Sequence, residues 1–178
     1  MRTILLSLCA VSLFAAGELS NRRAPGFALP DSKGKVYDLA DYRGKVVVIE
    51  IMQTNCPHCS GFADTLERVN RKYAGRAVVL SIANPPDNAQ TVAAYVQGHK
   101  ITSPVLFDCG QAAYSYMKKP SFDIPHVFVI DQQGMIRADF GWSPMNQAVF
   151  EGTGLDSEID KLLSGAPKVA PKAAPKKK

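Results

Sequence analysis

A chain of 178 residues, 46% of them hydrophobic, has room for one domain with a substantial core. Its formal charge of +5 invites a nucleic-acid partner, but five lysines without an acid sit in residues 165–178 and Arg2 lies in the leader, which leaves residues 18–164 at −1. A nearly neutral body excludes nucleic acid as an electrostatically driven partner, and the Ala/Pro/Lys segment 165–178, unable to build a core, is expected to be a disordered tail.

Residues 2–17 carry one basic residue, an apolar stretch too short for a comfortable membrane span, and the small residues Ala15 and Gly17 placed for cleavage. Residues 1–17 therefore read as a secretory signal peptide, with a retained membrane anchor as the alternative. Cys9 lies too deep in the apolar stretch for a lipid-attachment cysteine and leaves with the signal. Export to an oxidising compartment lets disulfides persist, and three cysteines, Cys56, Cys59 and Cys109, remain in a domain expected over 18–164. The odd count leaves at least one thiol free, mispaired or part of a reaction cycle.

Glu18 to Pro25 reads as a linker. Phe27-Ala28-Leu29 and Lys35 to Leu39 flank Asp31-Ser32-Lys33-Gly34 as a β-hairpin, and Asp41 to Gly44 turns the chain into Val46-Val47-Val48-Ile49-Glu50-Ile51. That β-branched run, interrupted by a single acid, suits a central strand buried on both faces. It hands over to Cys56-Pro57-His58-Cys59 and then to a helical stripe, Phe62, Leu66, Val69 and Tyr73, which ends at Gly75. Pro57 fits the first helical position, and the unpaired N–H groups and dipole of a helix N-terminus favour a thiolate over a thiol. Ala77 to Ile82 is a second buried strand, so strand, helix and strand form a right-handed βαβ unit with parallel strands. A helix carrying Val92, Tyr95 and Val96 runs to Gly98. A short strand, Pro104 to Asp108, and a helix, Gln111 to Met117, follow. Val127 to Ile130, the turn Asp131-Gln132-Gln133-Gly134 and Met135 to Phe140 form a second hairpin opened by Pro125, and Leu155, Ile159, Leu162 and Leu163 give a closing helix.

Four stretches carry a resemblance: A-P-G-F-A-L-P-D, D-Y-R-G-K-V-V-V-I leading to C-P-H-C, S-P-V-L-F-D, and I-P-H-V-F-V-I-D-Q-Q-G. From Ala24 to Leu163 the chain resembles the thioredoxin fold, and within it the exported TlpA/ResA-like branch that overlaps with peroxiredoxin-type redoxin domains. The resemblance implies an α/β fold with a central mixed β-sheet flanked by helices, an N-terminal β-hairpin and a βα insertion. It implies a cis proline against the cysteine pair, here Pro125, and a buried acid six residues before the first cysteine, here Glu50. Phe62 stands where the cytochrome-maturation branch has a glutamate, so that specialised role is not implied. The C-P-H-C pair is similar to that of the oxidant DsbA.

For Cys56 and Cys59 a structural disulfide would close too small a loop to stabilise much, and no second C-x-x-C or His pair completes a zinc shell. A redox dithiol remains, with Cys56 attacking and Cys59 resolving. Glu50 reads either as a carboxyl of raised pKa that relays a proton for Cys59, or as a strand-edge acid reaching solvent. His58 is an exposed loop histidine or a positive charge that stabilises the Cys56 thiolate and makes the disulfide more oxidising. His126 reads as a satisfied core histidine, Cys109 as a small buried residue after a strand, and Trp142 as core or rim.

The leading function is that of an enzyme, an exported thiol–disulfide oxidoreductase acting on protein cysteines, recycled by a membrane or soluble redox partner and needing no cofactor or metal. A peroxiredoxin-like thiol peroxidase with antioxidant activity is the alternative, although its P-x-x-x-T-x-x-C pattern needs Pro at 49 and Thr at 53, where Ile49 and Gln53 stand. A copper chaperone using Cys56, Cys59 and His126 is the third reading.

Overall fold

A computed structural model describes residues 17–118 and 123–165. The expected signal peptide and tail lie outside them, apart from Gly17 and Gly165. The elements in chain order are β1 (Arg22–Arg23), β2 (Ala28–Pro30), β3 (Val36–Asp38), β4 (Val46–Met52), α1 (Pro57–Lys72), β5 (Ala77–Ala83), α2 (Ala89–Gly98), β6 (Val105–Phe107), α3 (Gln111–Met117), β7 (His126–Ile130), β8 (Met135–Gly141), α4 (Gln147–Phe150) and α5 (Thr153–Ser164). Two short 3₁₀ turns sit at Leu39–Tyr42 and Pro144–Asn146.

The main sheet runs β1-β8-β7-β4-β5-β6. β4 is parallel to β5 along its whole length and antiparallel to β7 from Val47 to Ile51, and all seven of its residues are buried. Alternation divides them between two cores. Val46 and Val48 join Phe62, Leu66 and Val69 of α1 and Leu155 and Ile159 of α5 on one face. Val47, Ile49 and Ile51 meet Ala113, Tyr116 and Met117 of α3 on the other, where the β2–β3 hairpin also packs. The mixed sheet with flanking helices is the architecture the resemblance implies, and α2 with β6 supplies the additional βα unit at the far edge.

Both hairpins use one local device. The Asp31 side chain accepts the N–H groups of Lys33 and Lys35 at 2.9 and 3.0 Å, Asp131 accepts those of Gln133 and Met135 at 2.9 Å each, and Gly34 and Gly134 supply positive φ. The segment read as a linker departs from expectation. Arg22 and Arg23 pair with Ile136 and Met135 as an edge strand, through backbone groups that leave no hydrophobic signature.

α1 is fastened at its far end by Asp156 of α5, which binds Arg68 and Lys72 at 2.9 and 3.1 Å. On its α2 side, the buried Glu67 carboxylate accepts Thr102 Oγ1 at 2.6 Å, Ser103 N–H at 2.8 Å and Ser103 Oγ at 2.7 Å, tying the helix to the approach to β6. Burial acts to raise its pKa, but the hydrogen bonds from Thr102 and Ser103 prevail and hold it below the ordinary value. A depressed folded pKa gives stability that is present above the unfolded pKa and lost as pH falls through the folded one. Glu67→Gln is therefore expected to cost about 1–3 kcal/mol at pH 7, and the gap to wild type should narrow below about pH 4 in urea titrations. An equal gap at pH 3 and pH 7 would contradict the charged-acceptor account.

Candidate active site

The site forms where β4 ends and α1 begins. Cys56 is the N-cap of α1, in extended backbone conformation, with Pro57 in the first turn. Its half-buried Sγ takes the place of a capping oxygen, accepting the Cys59 N–H at 3.3 Å, and lies 3.8 Å from the Ile124 carbonyl oxygen. The Ile124–Pro125 peptide is cis, and Pro125 leads directly into β7, the neighbour of β4. The sulfur that solvent reaches is thus the one at the helix N-terminus, contacted by the Cys59 N–H.

Cys59, one turn into the helix, is fully buried among Met52, Ala63, Ala83 and Val92. Burial, reinforced by the charge of Glu50 and by Cys56, pushes its thiol well above the ordinary value. The pair is thus asymmetric, one sulfur outward and one inward. Cys56, Cys59 and Cys109 are all free thiols.

Glu50 lies inside the sheet rather than at an edge, 2% exposed. Strand alternation sets it on the α1 face, following Val46 and Val48, and its parallel partner in β5 is Ser81. Ser81 Oγ donates to Oε2 at 2.7 Å, while Oε1 has no hydrogen-bond partner among the described residues. Burial pushes the carboxyl up to about 7, against the opposing pull of the Ser81 hydrogen bond. Tyr95 was legible in the sequence only as a core residue of α2. Its hydroxyl donates to the Cys59 carbonyl oxygen at 3.1 Å, and burial, then the charges of Glu50, Cys59 and Cys56, raise its own pKa.

The structure therefore gathers Cys56, Cys59, Glu50 and Pro125, with Ser81 and Tyr95 added. His58 is exposed, and its ring stacks on Trp142 with centroids 3.6 Å apart and planes 19° apart. Trp142, at the rim as one reading had it, thus has a partner that no local pattern revealed. His126 is in the core, 5% exposed and stacked on Phe128, but it is not satisfied: neither ring nitrogen has a hydrogen-bond partner among the described residues, and Asp139 Oδ2 is 3.6 Å from Nε2. Cys109 is exposed, not buried, because the chain turns outward at Asp108 to start α3. Among the described residues no three His, Cys, Asp or Glu side chains are grouped to hold a metal, so the trio proposed for copper does not form a site.

An outward and an inward cysteine at a helix N-terminus, with a buried acid behind them on a thioredoxin fold, place this protein among the thiol–disulfide oxidoreductases. The profile of the AhpC/TSA family matches residues 21–139, and the chain belongs to that family. Thioredoxin-like protein YneN of Bacillus subtilis is 25% identical over 125 residues, 68% of this chain and 71% of that protein. Thiol-disulfide oxidoreductase ResA of Geobacillus kaustophilus is 28% identical over 115 residues, and the match spans 64% of either protein's length. The crystal structure of a thioredoxin-family thiol:disulfide interchange protein from Chlorobium tepidum superposes with a TM-score of 0.69 over 80% of this chain and 96% of that one. At 20% identity this likeness concerns the fold alone.

The Glu50 carboxyl has a consequence for stability. With a folded pKa near 7 and an ordinary value of 4.5, the unfolded chain ionises first, so stability from the neutral form is complete below about pH 4.5 and is lost as pH rises towards 7. Glu50→Gln removes that loss. In reduced protein the variant should match wild type to within about 1 kcal/mol at pH 4 and exceed it by about 3 kcal/mol at pH 8, measured by urea unfolding. A difference that does not change with pH would show that Glu50 is not a buried acid of raised pKa.

Proposed function

We propose that the protein is an exported enzyme that exchanges disulfides with cysteines of other proteins through Cys56 and Cys59. The observation that carries this reading is the asymmetry of the pair: a half-buried Cys56 capping α1 and a fully buried Cys59 one turn on. In the reducing direction the Cys56 thiolate attacks one sulfur of a client disulfide, and the other client sulfur leaves as a thiolate. Cys59 gives its proton to the Glu50 carboxylate and attacks Cys56 Sγ. The client's remaining sulfur departs, and the Cys56–Cys59 disulfide holds the oxidising equivalent, two electrons having passed to the client. Reversal of the same steps oxidises a client dithiol. A carboxyl of pKa about 7 is divided between acid and base near neutrality, which suits a relay that works in both directions.

Cys59 needs such a base, since burial and neighbouring charge oppose its ionisation. Neutralising Glu50 by the transferred proton removes one of those charges at the moment the thiolate forms. Pro125 positions the Ile124 carbonyl against Cys56 and flanks the bound client. A membrane or soluble redox partner resets the pair, and residues 1–17 direct the chain out of the cytoplasm. The peroxidase reading has less support: the hydroxyl of Thr54, the nearest threonine to the required position, is bonded to Asp87, as is its backbone N–H at 2.8 Å.

Cys59→Ser is expected to accumulate mixed disulfides with client proteins, seen as reductant-sensitive bands on non-reducing gels, whereas Cys56→Ser should accumulate none. Absence of adducts in Cys59→Ser together with loss of turnover in Cys109→Ser would assign the chemistry to the wrong thiols. In stopped-flow measurements Glu50→Gln should slow resolution of a preformed Cys56 mixed disulfide at least tenfold and leave the first attack within about twofold, the range general-base catalysis commands.

A further inference from the structure

Beside the cysteine pair, the first turn of α1, the end of β8 and α4 enclose a groove of about 360 Å³. Its lining has two parts. One wall is apolar: Phe62 and Phe150 meet edge to face at 5.0 Å, the Trp142 indole carries the His58 ring, and Pro144 closes the side, while Ser143 and Gln147 add polar surface to the lining. At the mouth stands the exposed carboxylate of Glu151, accepting from Gln147 Nε2 at 2.6 Å. Among the described residues, Glu151 and the His58 imidazole are the ionisable groups that line the groove. Arg68, which lies beside Gly152, is committed to Asp156 at 2.9 Å. Met145, 93% exposed, extends the apolar surface next to Pro144.

We infer that this groove receives a basic residue of the client polypeptide, a lysine or arginine close to the reacting cysteine. The inference rests on the client-exchange reading above and specifies its substrate class. Three observations converge on it. Pro57 and His58, which follow Cys56 directly, line the groove, so a chain whose sulfur meets Cys56 must pass its neighbouring side chains across it. The apolar wall fits the aliphatic stem of a long cation, and such a stem buries its methylenes while the head stays at a wet, charged end. Glu151 supplies that end with the complementary sign, and among the described residues no lysine or arginine lines the groove beside it. An acidic client side chain in the same place would face an uncompensated like charge.

The test uses reduced full-length protein and short capped peptides, each with one cysteine joined by a disulfide to 2-mercaptoethanol and a single Lys, Glu or Leu placed one or two residues to either side. Each reaction passes two electrons from the Cys56–Cys59 dithiol to the peptide disulfide, releasing peptide thiol and 2-mercaptoethanol, and is followed by the emission of Trp142, the single tryptophan of the chain. At low salt the Lys peptide should react at least tenfold faster than the Glu peptide, and faster than the Leu peptide, at one or more positions. That ratio should shrink towards one in 0.5 M NaCl and invert in Glu151→Lys. Equal rates for Lys and Glu at every position, a Leu peptide as fast as the Lys peptide, or a ratio unmoved by Glu151→Lys overturns the inference. Bis(2-hydroxyethyl) disulfide, small and uncharged, separates the two levels of failure. If wild type does not exchange with it at all, the oxidoreductase reading fails; if it exchanges while the peptides show no charge preference, only the groove assignment falls.

Discussion

Burial of β4 is the constraint on which the other features depend. A strand with partners on both edges and helices over both faces has no exposed side on which to carry a polar residue, yet it carries Glu50. A carboxylate there loses its hydration with one hydroxyl as recompense, so its pKa is raised, with Ser81 bound to one oxygen and the other without a hydrogen-bond partner among the described residues. Burial raises both this acid and the Cys59 thiol, and the charge of Glu50 further opposes ionisation of Cys59. Both groups lie buried under α1, at the end of β4 and the start of the helix.

The outer half of the site is built on the opposite principle. Cys56 meets solvent at a helix terminus whose N–H groups are not all used by the helix, and its sulfur does the work of a capping oxygen. Helix α1 can present the two sulfurs so differently because it is anchored away from them. Asp156 holds its last turns, Glu67 fixes its flank, and Phe62, Leu66 and Val69 seat it on the sheet. The first turn, which holds both cysteines, has the Ile124–Pro125 segment facing it from the strand next door.

His58 illustrates how a residue within a motif takes its environment from outside it. The dipeptide between the cysteines suggests a charge close to the Cys56 sulfur, but the ring lies flat on Trp142, 84 positions further along the chain, and becomes part of a groove wall. Stacking of two flat, half-apolar rings keeps that wall in place beside Cys56.

Much of this molecule is local and was legible as such. The β-branched run of β4 with its lone acid, the stripe of α1, the Asp-x-x-Gly turns of both hairpins and the helix over Gln111 to Met117 follow from side-chain period and turn chemistry, which neighbours in sequence fix. The placing of Cys56 and Cys59 at a strand-to-helix junction follows from the same signals. The edge strand at Arg22–Arg23 did not, since it pairs through backbone groups with β8 and carries no alternating hydrophobic pattern. Nor did the exposure of Cys109, the unsatisfied ring of His126, the Tyr95 hydroxyl on the Cys59 carbonyl or the Trp142 stack. Each is a contact or a solvent boundary between elements distant in sequence, set by how the sheet orders its strands and how helices settle on it. Residue type decides which chemistry is available, whereas burial and partner distance decide how it is tuned, and those two quantities exist only once the chain has packed.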